Sequence, residues 1–318
     1  MHTILVSGAS GVVGYGILKN LKQNGNRLIG TTIYSESPAD CFADVVEIVP
    51  KAFDDGYIAE LIRIIRKHHV DFMIPGIEDD MIVWNHNRDI ICETGAVMLL
   101  NNSQLVSLCM DKWKFYEKLK EFGVRCRIES SVDADFSSFS TPFIIKPRRG
   151  YGSRGVMKIH NKDEFDAYCG RIGGEYMMQR LVGTDEEEYT VSVFFDRQSE
   201  IKAVIALRRK LSRSGYTELA EVVDYHTFIE VIKELSQNFY PVGPTNFQFR
   251  RDGQEWKLLE INPRISSSTS IRAGFGYNEC QMAVDYFLDG FNITQPEIKK
   301  GKCIRYIEDF FCYDSTDF

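Results

Sequence analysis

The chain has 318 residues, 44% of them hydrophobic, and a net charge of −7, with an isoelectric point near 5.5. That length predicts two or three domains with real cores. The acidic balance excludes nucleic acid and anionic membrane as partners, since both need a basic surface. No apolar run approaches the ~20 residues of a membrane span. The opening "MHTILVSGASG" lacks the basic region, apolar core and cleavage site of a signal peptide, so a cytoplasmic location is expected. Eight cysteines, at 41, 92, 109, 126, 169, 280, 303 and 312, include no CxxC pair. They predict reduced thiols, not a disulfide framework or a zinc site. The adjacent His68 and His69 read as surface residues.

In chain order, "TILVSG" predicts a strand, "VVGYGILKNLKQNG" a helix stopped by Gly25, and "RLIGTTIY" a strand. "DGYIAELIRIIRKHHV" follows as an amphipathic helix and "DFMIPG" as another strand. This alternation predicts a parallel sheet covered by helices. "MDKWKFYEKLKEFGV" is a helix closed by Gly123. From residue 141 the pattern changes to strands on tight loops: "PFIIKP", "GVMKIH", "EYMMQRLV", "EYTVSVFFD", "IKAVIALRR" and "NFQFRRDGQEWKLLEIN". That predicts an antiparallel α+β region, with the main boundary near residue 110.

Two glycine loops stand out. In "VSGASGVVG", Gly8, Gly11 and Gly14 follow a strand and open a helix, where backbone amides and a helix N-terminus can face an anion. Gly8 and Gly11 are therefore candidate ligand contacts, and Glu36 after the next strand is placed to hold a ribose in a dinucleotide reading. The plain alternative is a tight strand–helix turn with no cofactor. Tyr116/Lys120 and Tyr15/Lys19 both fit a Tyr-x-x-x-Lys spacing, which shows how little that spacing discriminates.

In "FIIKPRRGYGSRGVMKI", a strand ends in Lys146, a loop carries Gly150, Gly152 and Gly155 with Arg148, Arg149 and Arg154, and a second strand follows. A P-loop would enter a helix and carry Gly-Lys-Ser/Thr. A cationic glycine hairpin instead predicts a flap over phosphates, with Lys146 as a point charge.

Near the end, "KLLEINPRISSSTSIR" places Glu260, Asn262 and Arg264 at the end of an apolar strand. Side chains alternate along a strand, so Glu260 and Asn262 share a face, with Leu258 expected beside them. Gln248, in "NFQFR", joins that face if Arg251-Asp252-Gly253 is a three-residue hairpin loop; a two-residue Asp252-Gly253 turn puts it on the other side. An unpaired carboxylate in a buried strand is costly, whereas carboxylate and amide oxygens suit Mg²⁺, which also bridges to phosphates. Gln248, Glu260 and Asn262 are thus candidate metal ligands, with Arg264 and Ser266-Ser267-Ser268 at the mouth. The alternative is a solvent-facing polar strand.

Taken together, these motifs resemble the ATP-grasp superfamily, and in particular enzymes like the carbamoyl phosphate synthetase large subunit and amino-acid ligases of the carboxylate–amine class. The resemblance implies a Rossmann-like preATP-grasp domain (1–109), an ATP-grasp small lobe with the glycine flap (110–185) and a large lobe with the metal site (186–318). It also implies nucleotide contacts at Lys112, Lys146, Arg148, Gly150, Gly152 and Gly155. Gln179 and the Leu181 backbone would meet adenine, and Glu188 the ribose. Mg²⁺, with Mn²⁺ as the alternative, would sit at Gln248, Glu260 and Asn262, and Arg264 would meet the transferring phosphate. Position 248 departs from the acidic residue many members carry.

The implied activity is ATP- and Mg²⁺-dependent joining of a small-molecule carboxylate to an amine through an acyl phosphate, with Arg264 and Lys146 as the catalytic pair. Arg272, in "SIRAGFGYNE", is the candidate grip for a substrate carboxylate, because a guanidinium fork matches it bidentately. Substrate choice is assigned to loops such as "RRKLSRSGYTELAE" and to the turn "PGIEDD" with Glu78. A homodimer is left open. Two other classes compete: an NAD(P)-dependent oxidoreductase using the first glycine loop, and a nucleotide-binding protein without turnover.

Overall fold

A computed structural model of the chain describes residues 1–150, 155–212, 215–309 and 311. Three sheets are built from successive stretches. The first is wholly parallel, in the order β3-β2-β1-β4-β5. Its strands are β1 (Thr3–Val6), β2 (Arg27–Thr32), β3 (Val45–Ile48), β4 (Phe72–Ile74) and β5 (Val97–Met98). Helices α1 (Val12–Leu21), α2 (Tyr57–His68), α3 (Glu78–His86) and α4 (Arg88–Cys92) alternate with these strands, as in a doubly wound sheet. Short helices α5 (Ser103–Cys109) and α6 (Lys112–Glu121) lead onward.

The second sheet is antiparallel, β6-β9-β7-β8, from β6 (Ser130–Ser131), β7 (Phe143–Pro147), β8 (Met157–Ile159) and β9 (Tyr176–Arg180), with α7 (Lys162–Asp166) beside it. The third has the order β14-β13-β10-β11-β12-β15 and is antiparallel throughout. It comprises β10 (Glu188–Phe195), β11 (Ile201–Leu211), β12 (Thr217–Val223), β13 (Gly243–Asp252), β14 (Glu255–Asn262) and β15 (Lys302–Ile304). Helices α8 (Ile229–Phe239), α9 (Thr269–Gly274) and α10 (Glu279–Phe287) complete the chain. No helix among the described residues is long and apolar enough to cross a membrane.

The two faces of the third sheet are chemically distinct. One buries Val191, Val193, Phe195, Phe247, Phe249, Leu258 and Ile261 against α6 and α8. Part of the other places Phe194, Ala203, Ile205 and Leu207 in one core with Ile4, Val6 and Ile17 of the N-terminal unit, with Phe287 of the C-terminal helix between Phe72 and Phe194. The first and third sheets are therefore joined through one continuous core, and α1 lies along α9 and α10. The remainder of that second face is polar, and it carries the site.

The polarity of that face depends on register. β13 and β14 turn through Gly253 and Gln254, with Asp252 opposite Glu255 and Gly253 left-handed at φ 63°. Neither of the two loops expected from the sequence forms. A one-residue bulge at Leu259 then shifts the pairing: Phe249 lies opposite Leu258, but Gln248 lies opposite Glu260 and Asn246 opposite Asn262. Leu258 consequently faces the core and is fully buried, not beside Glu260 as alternation alone predicts. A bulge inserts one residue and so reverses the alternation beyond it. The buried Tyr116 hydroxyl of α6 donates to the Leu258 and Leu259 carbonyls at 3.0 and 2.6 Å, pinning the bulge.

Other differences are local. "RRKLSRSGYTELAE" is largely a hairpin, since β11 runs to Leu211 and β12 starts at Thr217. His68 is buried, with Nε2 2.5 Å from Glu47.

Tyr116→Phe removes the hydroxyl bonded to the bulge carbonyls and is expected to destabilise the fold by about 1–3 kcal/mol. Urea denaturation measures this; an unchanged midpoint would show that the bulge holds unaided.

Candidate active site

The site lies where β7 and β9 face the polar half of the third sheet. Lys146, the inward residue at the end of β7, is buried; its Nζ donates to Gln179 Oε1 at 2.8 Å and sits 4.8 Å from the Tyr116 ring centroid. Gln179 is fixed in turn by donating to Ser130 Oγ at 2.9 Å. Burial, reinforced by Lys112 and only partly opposed by Glu260, pulls Lys146 down from 10.5 to about 7. No carboxylate among the described residues is bonded to it, so the ammonium is held by an amide and a ring.

Lys112 opens α6. Its amide donates to the Arg148 carbonyl at 2.8 Å and its Nζ to the Gly150 carbonyl at 2.6 Å, which ties the root of the glycine flap to the helix. Gly150 is left-handed at φ 116°, as is Gly155 at 73°; Gly152 and Arg154 lie outside the described residues. Arg148 turns away from the cleft. It forks Asp111 at 2.8 and 3.2 Å and donates to the Gly173 carbonyl at 2.7 Å, while Asp111 caps α6 through the Trp113 amide. Arg148 thus braces the flap's base.

Across the cleft, Glu260 accepts from Asn262 Nδ2 at 2.9 Å. Burial alone would raise its carboxyl, but Lys112, the Asn262 amide, Lys146 and Arg209 outweigh it and hold the group below its usual range. The N-terminal unit contributes Glu78, 3.6 Å from Arg264. Burial raises the Glu78 carboxyl, with Arg264 opposing and Glu260 reinforcing the rise. Five charged groups from three parts of the chain therefore converge: Lys112, Lys146, Glu260, Arg264 and Glu78.

The other predicted residues are placed as follows. Gln248 shares the Glu260 face, but its Oε1 accepts from Arg209 at 2.5 Å. Glu188 is clasped by Arg209 at 3.0 Å and by Arg250 at 3.0 Å. Leu181 lines an outer cleft with Pro142, Arg180, Thr184 and the Gly253 turn. Arg272 is wholly buried; its fork is filled by Glu279 at 2.5 and 3.0 Å, with further bonds to Asn246 and Ser266. A substrate carboxylate would have to displace Glu279 to reach it. At the first glycine loop, a Cβ on Gly8 would come within 2.5 Å of the Ile77 side chain, and one on Gly14 within 2.3 Å of the Gly8 carbonyl. The turn after β4 covers Gly8, so packing accounts for both glycines. Glu36 is exposed.

Sequence reasoning missed Tyr116, Ser130, Arg209 and Arg305. Arg209 had a signal: the second arginine of "ALRR" falls on the inward alternation of β11. Tyr116 had one too, flanked by Phe115 and Leu119 on the buried stripe of α6.

Among the described residues, five buried side-chain polar atoms lack a partner: Arg209 Nε, Ser212 Oγ, Asn246 Nδ2, Arg264 Nε and Arg305 NH1. Their residues all lie on the polar face of the third sheet or its bordering loops, and four of the five atoms are pure donors. Buried donors without acceptors are costly, so this arrangement is complementary to an electron-rich ligand. No group of three or more His, Cys, Asp or Glu that could hold a metal occurs among the described residues. A cation here would rest on Glu260, amide oxygens and the ligand's own oxygens, a hard-oxygen set that suits Mg²⁺ or Mn²⁺.

The chain is similar to known proteins in sequence and in fold. Residues 4–100 match the family described as "PylC-like, N-terminal domain". Residues 175–310 match "ATP-grasp in the biosynthetic pathway with Ter operon". The chain belongs to the ATP-grasp superfamily. Its ATP-grasp fold is shared with N5-carboxyaminoimidazole synthetase from Staphylococcus aureus, solved with ADP: TM-score 0.76, 17% identity, over 93% of this chain and 80% of that one. It is also shared with biotin carboxylase from Campylobacter jejuni, TM-score 0.70 at 17% identity, over 89% and 70%. In sequence the chain is 24% identical to the carbamoyl phosphate synthase large chain of Halomonas eurihalina over 91% of its own length. It spans only 30% of that larger protein.

Because the Lys146 proton is lost near pH 7 in the folded state and near 10.5 when unfolded, the cost of burying its charge is full below pH 7. That cost is relieved as pH rises toward 10.5, where the unfolded chain binds more protons. Lys146→Met is expected to stabilise the ligand-free protein by about 1–3 kcal/mol at pH 6.5, with the advantage shrinking toward pH 9.5. Denaturation midpoints across that range measure it; a pH-independent difference would contradict the assignment.

Proposed function

We propose that the protein is an ATP- and Mg²⁺-dependent ligase that joins a carboxylate to an amine through an acyl phosphate. The observation that carries this reading is the convergence of Lys146, Lys112 and Arg264 on Glu260 and Asn262, in a cleft whose buried donors lack acceptors. ATP supplies an acceptor to the unpartnered Arg264 donor. In this reading Lys146 and Lys112 bind phosphate oxygens, Lys112 exchanging the neutral Gly150 carbonyl for a charged partner. Glu260 and Asn262 would hold Mg²⁺, with Gln248 joining only on release from Arg209. Bound there, Mg²⁺ supplies neutralisation of the phosphate charge and alignment of the transferring group.

A substrate carboxylate oxygen attacks the terminal phosphorus, an O–P bond forms, and the bond to the ADP oxygen breaks. An amine then attacks the acyl carbon and phosphate leaves. The side chains position and neutralise charge and supply no nucleophile. Arg264 is aimed at the oxygens that gain charge during transfer, and Glu78 restrains its guanidinium from across the domain junction. The packed Gly8 and Gly14 and the exposed Glu36 give no support to a nicotinamide reading.

Two outcomes test the proposal. A screen of amino acids and other small carboxylates with amines should find a pair that drives ADP release from MgATP, with an amide identified by mass spectrometry. Arg264→Ala should then keep MgADP affinity within about threefold while turnover falls roughly a hundredfold or more. Loss of both in parallel would make Arg264 a simple binding residue. Tight NADH binding with none for MgADP would overturn the ligase reading.

A further inference from the structure

Four arginines surround the polar face: Arg209, Arg264, Arg272 and Arg305. The first three each have a carboxylate within 4 Å, namely Glu188, Glu78 and Glu279. Arg305, just beyond β15, has none among the described residues. Its NH2 donates to the Ser267 carbonyl at 2.7 Å, its guanidinium lies 5.9 Å from the Tyr216 ring centroid, and its NH1 is buried without a partner. The titratable groups that face it are Tyr15, Cys303, Tyr216 and Arg272, none of them a carboxylate. A guanidinium drawn this far out of water is ordinarily paired.

Its place relative to the chemistry is fixed by one loop. Arg264 NH1 donates to the Ile265 carbonyl at 3.0 Å, and Arg305 donates to the Ser267 carbonyl two residues on. Residues two apart lie at most about 7 Å apart at their Cα atoms. The same loop is held rigid by Ser266 on Arg272 and Ser268 on Thr217. Nearby, Ser212 Oγ is a second unpartnered polar group, and the Ser212 amide is bonded to the Tyr216 carbonyl at 2.9 Å. Tyr15 comes from α1, so the groups around Arg305 are drawn from both the N-terminal unit and the third sheet.

We propose that Arg305 receives the non-reacting carboxylate of an amino-acid amine donor, in a subsite walled by Tyr15, Tyr216 and the Ser267 backbone. The proposal rests on the ligase reading and names the class of its amine substrate. An amino acid held by its carboxylate at Arg305 would present its amine along the loop that also holds Arg264, where the acyl group would form. The site would reject the same amine lacking a carboxylate, because the guanidinium would stay unpaired.

The test is thermal unfolding of the full chain with MgADP, then with MgADP plus each of the twenty standard amino acids, each hit repeated as its carboxamide. MgADP should raise the Tm of wild type and of Arg305→Gln alike. At least one amino acid should raise the wild-type Tm further, and its amide should not. Arg305→Gln should weaken that amino acid by roughly a hundredfold or more, with Arg305→Lys retaining part of the response. Equal shifts from acid and amide, an unaltered response in Arg305→Gln, or no amino-acid shift beside a clear MgADP shift would each overturn the subsite. If Arg305→Gln also loses the MgADP shift, Arg305 only clamps the loop at 263–268, and the proposal fails. Absence of any MgADP shift in wild type would instead sink the ligase reading beneath it.

Discussion

The site depends on a single extra residue in one strand. Without the bulge at Leu259, continuous pairing from the Gly253 turn would put Glu260 on the core face opposite Phe247, and Leu259 and Ile261 in the cleft opposite Gln248 and Asn246. With it, Leu258 and Ile261 fill the core while Glu260 and Asn262 meet Gln248 and Asn246. An ionised carboxylate cannot be left in that core, so the bulge is a condition of both stability and chemistry. Tyr116 links the two, since its hydroxyl holds the bulge carbonyls while its ring lies under the Lys146 ammonium. One helix thereby sets the position of a cation on one sheet and a carboxylate on another.

Charge in the cleft is arranged ahead of any ligand. Lys146 is buried beside Lys112, and Glu78 beside Glu260, so like charges are held together against their own repulsion. Buried donors of Arg209, Arg264, Asn246 and Arg305 have no acceptors. Each feature costs stability, and each would be relieved by anionic ligands, a polyanion with its cation at Lys146 and Glu260 and a carboxylate at Arg305. The packed core shared by the first and third sheets supplies the rigidity that keeps these groups from relaxing toward one another. Binding sites that hold charge in advance lose little to reorganisation when charge shifts.

Much of this was legible in the sequence. The strand–helix alternation of the first hundred residues gave the parallel sheet, and the run of strands after 141 gave the antiparallel lobes. Lys146, Glu260, Asn262 and Arg264 stood out because charged or amide residues ended apolar strands. What escaped were long-range facts. The Leu259 bulge needs the partner strand before it exists, so Leu258 was put on the wrong face and the turn was misplaced. Arg148 and Arg272 looked available because their partners, Asp111 and Glu279, meet them only through the fold. Arg305, just beyond a short C-terminal strand, was unremarkable because its isolation from carboxylates is a property of three dimensions. Glycines were ambiguous for a physical reason: Gly8 and Gly14 serve close backbone packing, which leaves the same local pattern as a phosphate loop.

The central claim is that the cleft between Lys146 and Glu260 is a nucleotide-phosphate site. A structure of the protein with Mg²⁺ and a non-hydrolysable ATP analogue tests it most directly. Phosphates are expected between Lys146, Lys112 and Arg264, a cation on Glu260 and Asn262, and an acceptor at the Arg264 Nε position. Nucleotide bound instead over the Gly8–Gly14 turn, with the Lys146–Gln179 bond intact and the cleft empty, would contradict it.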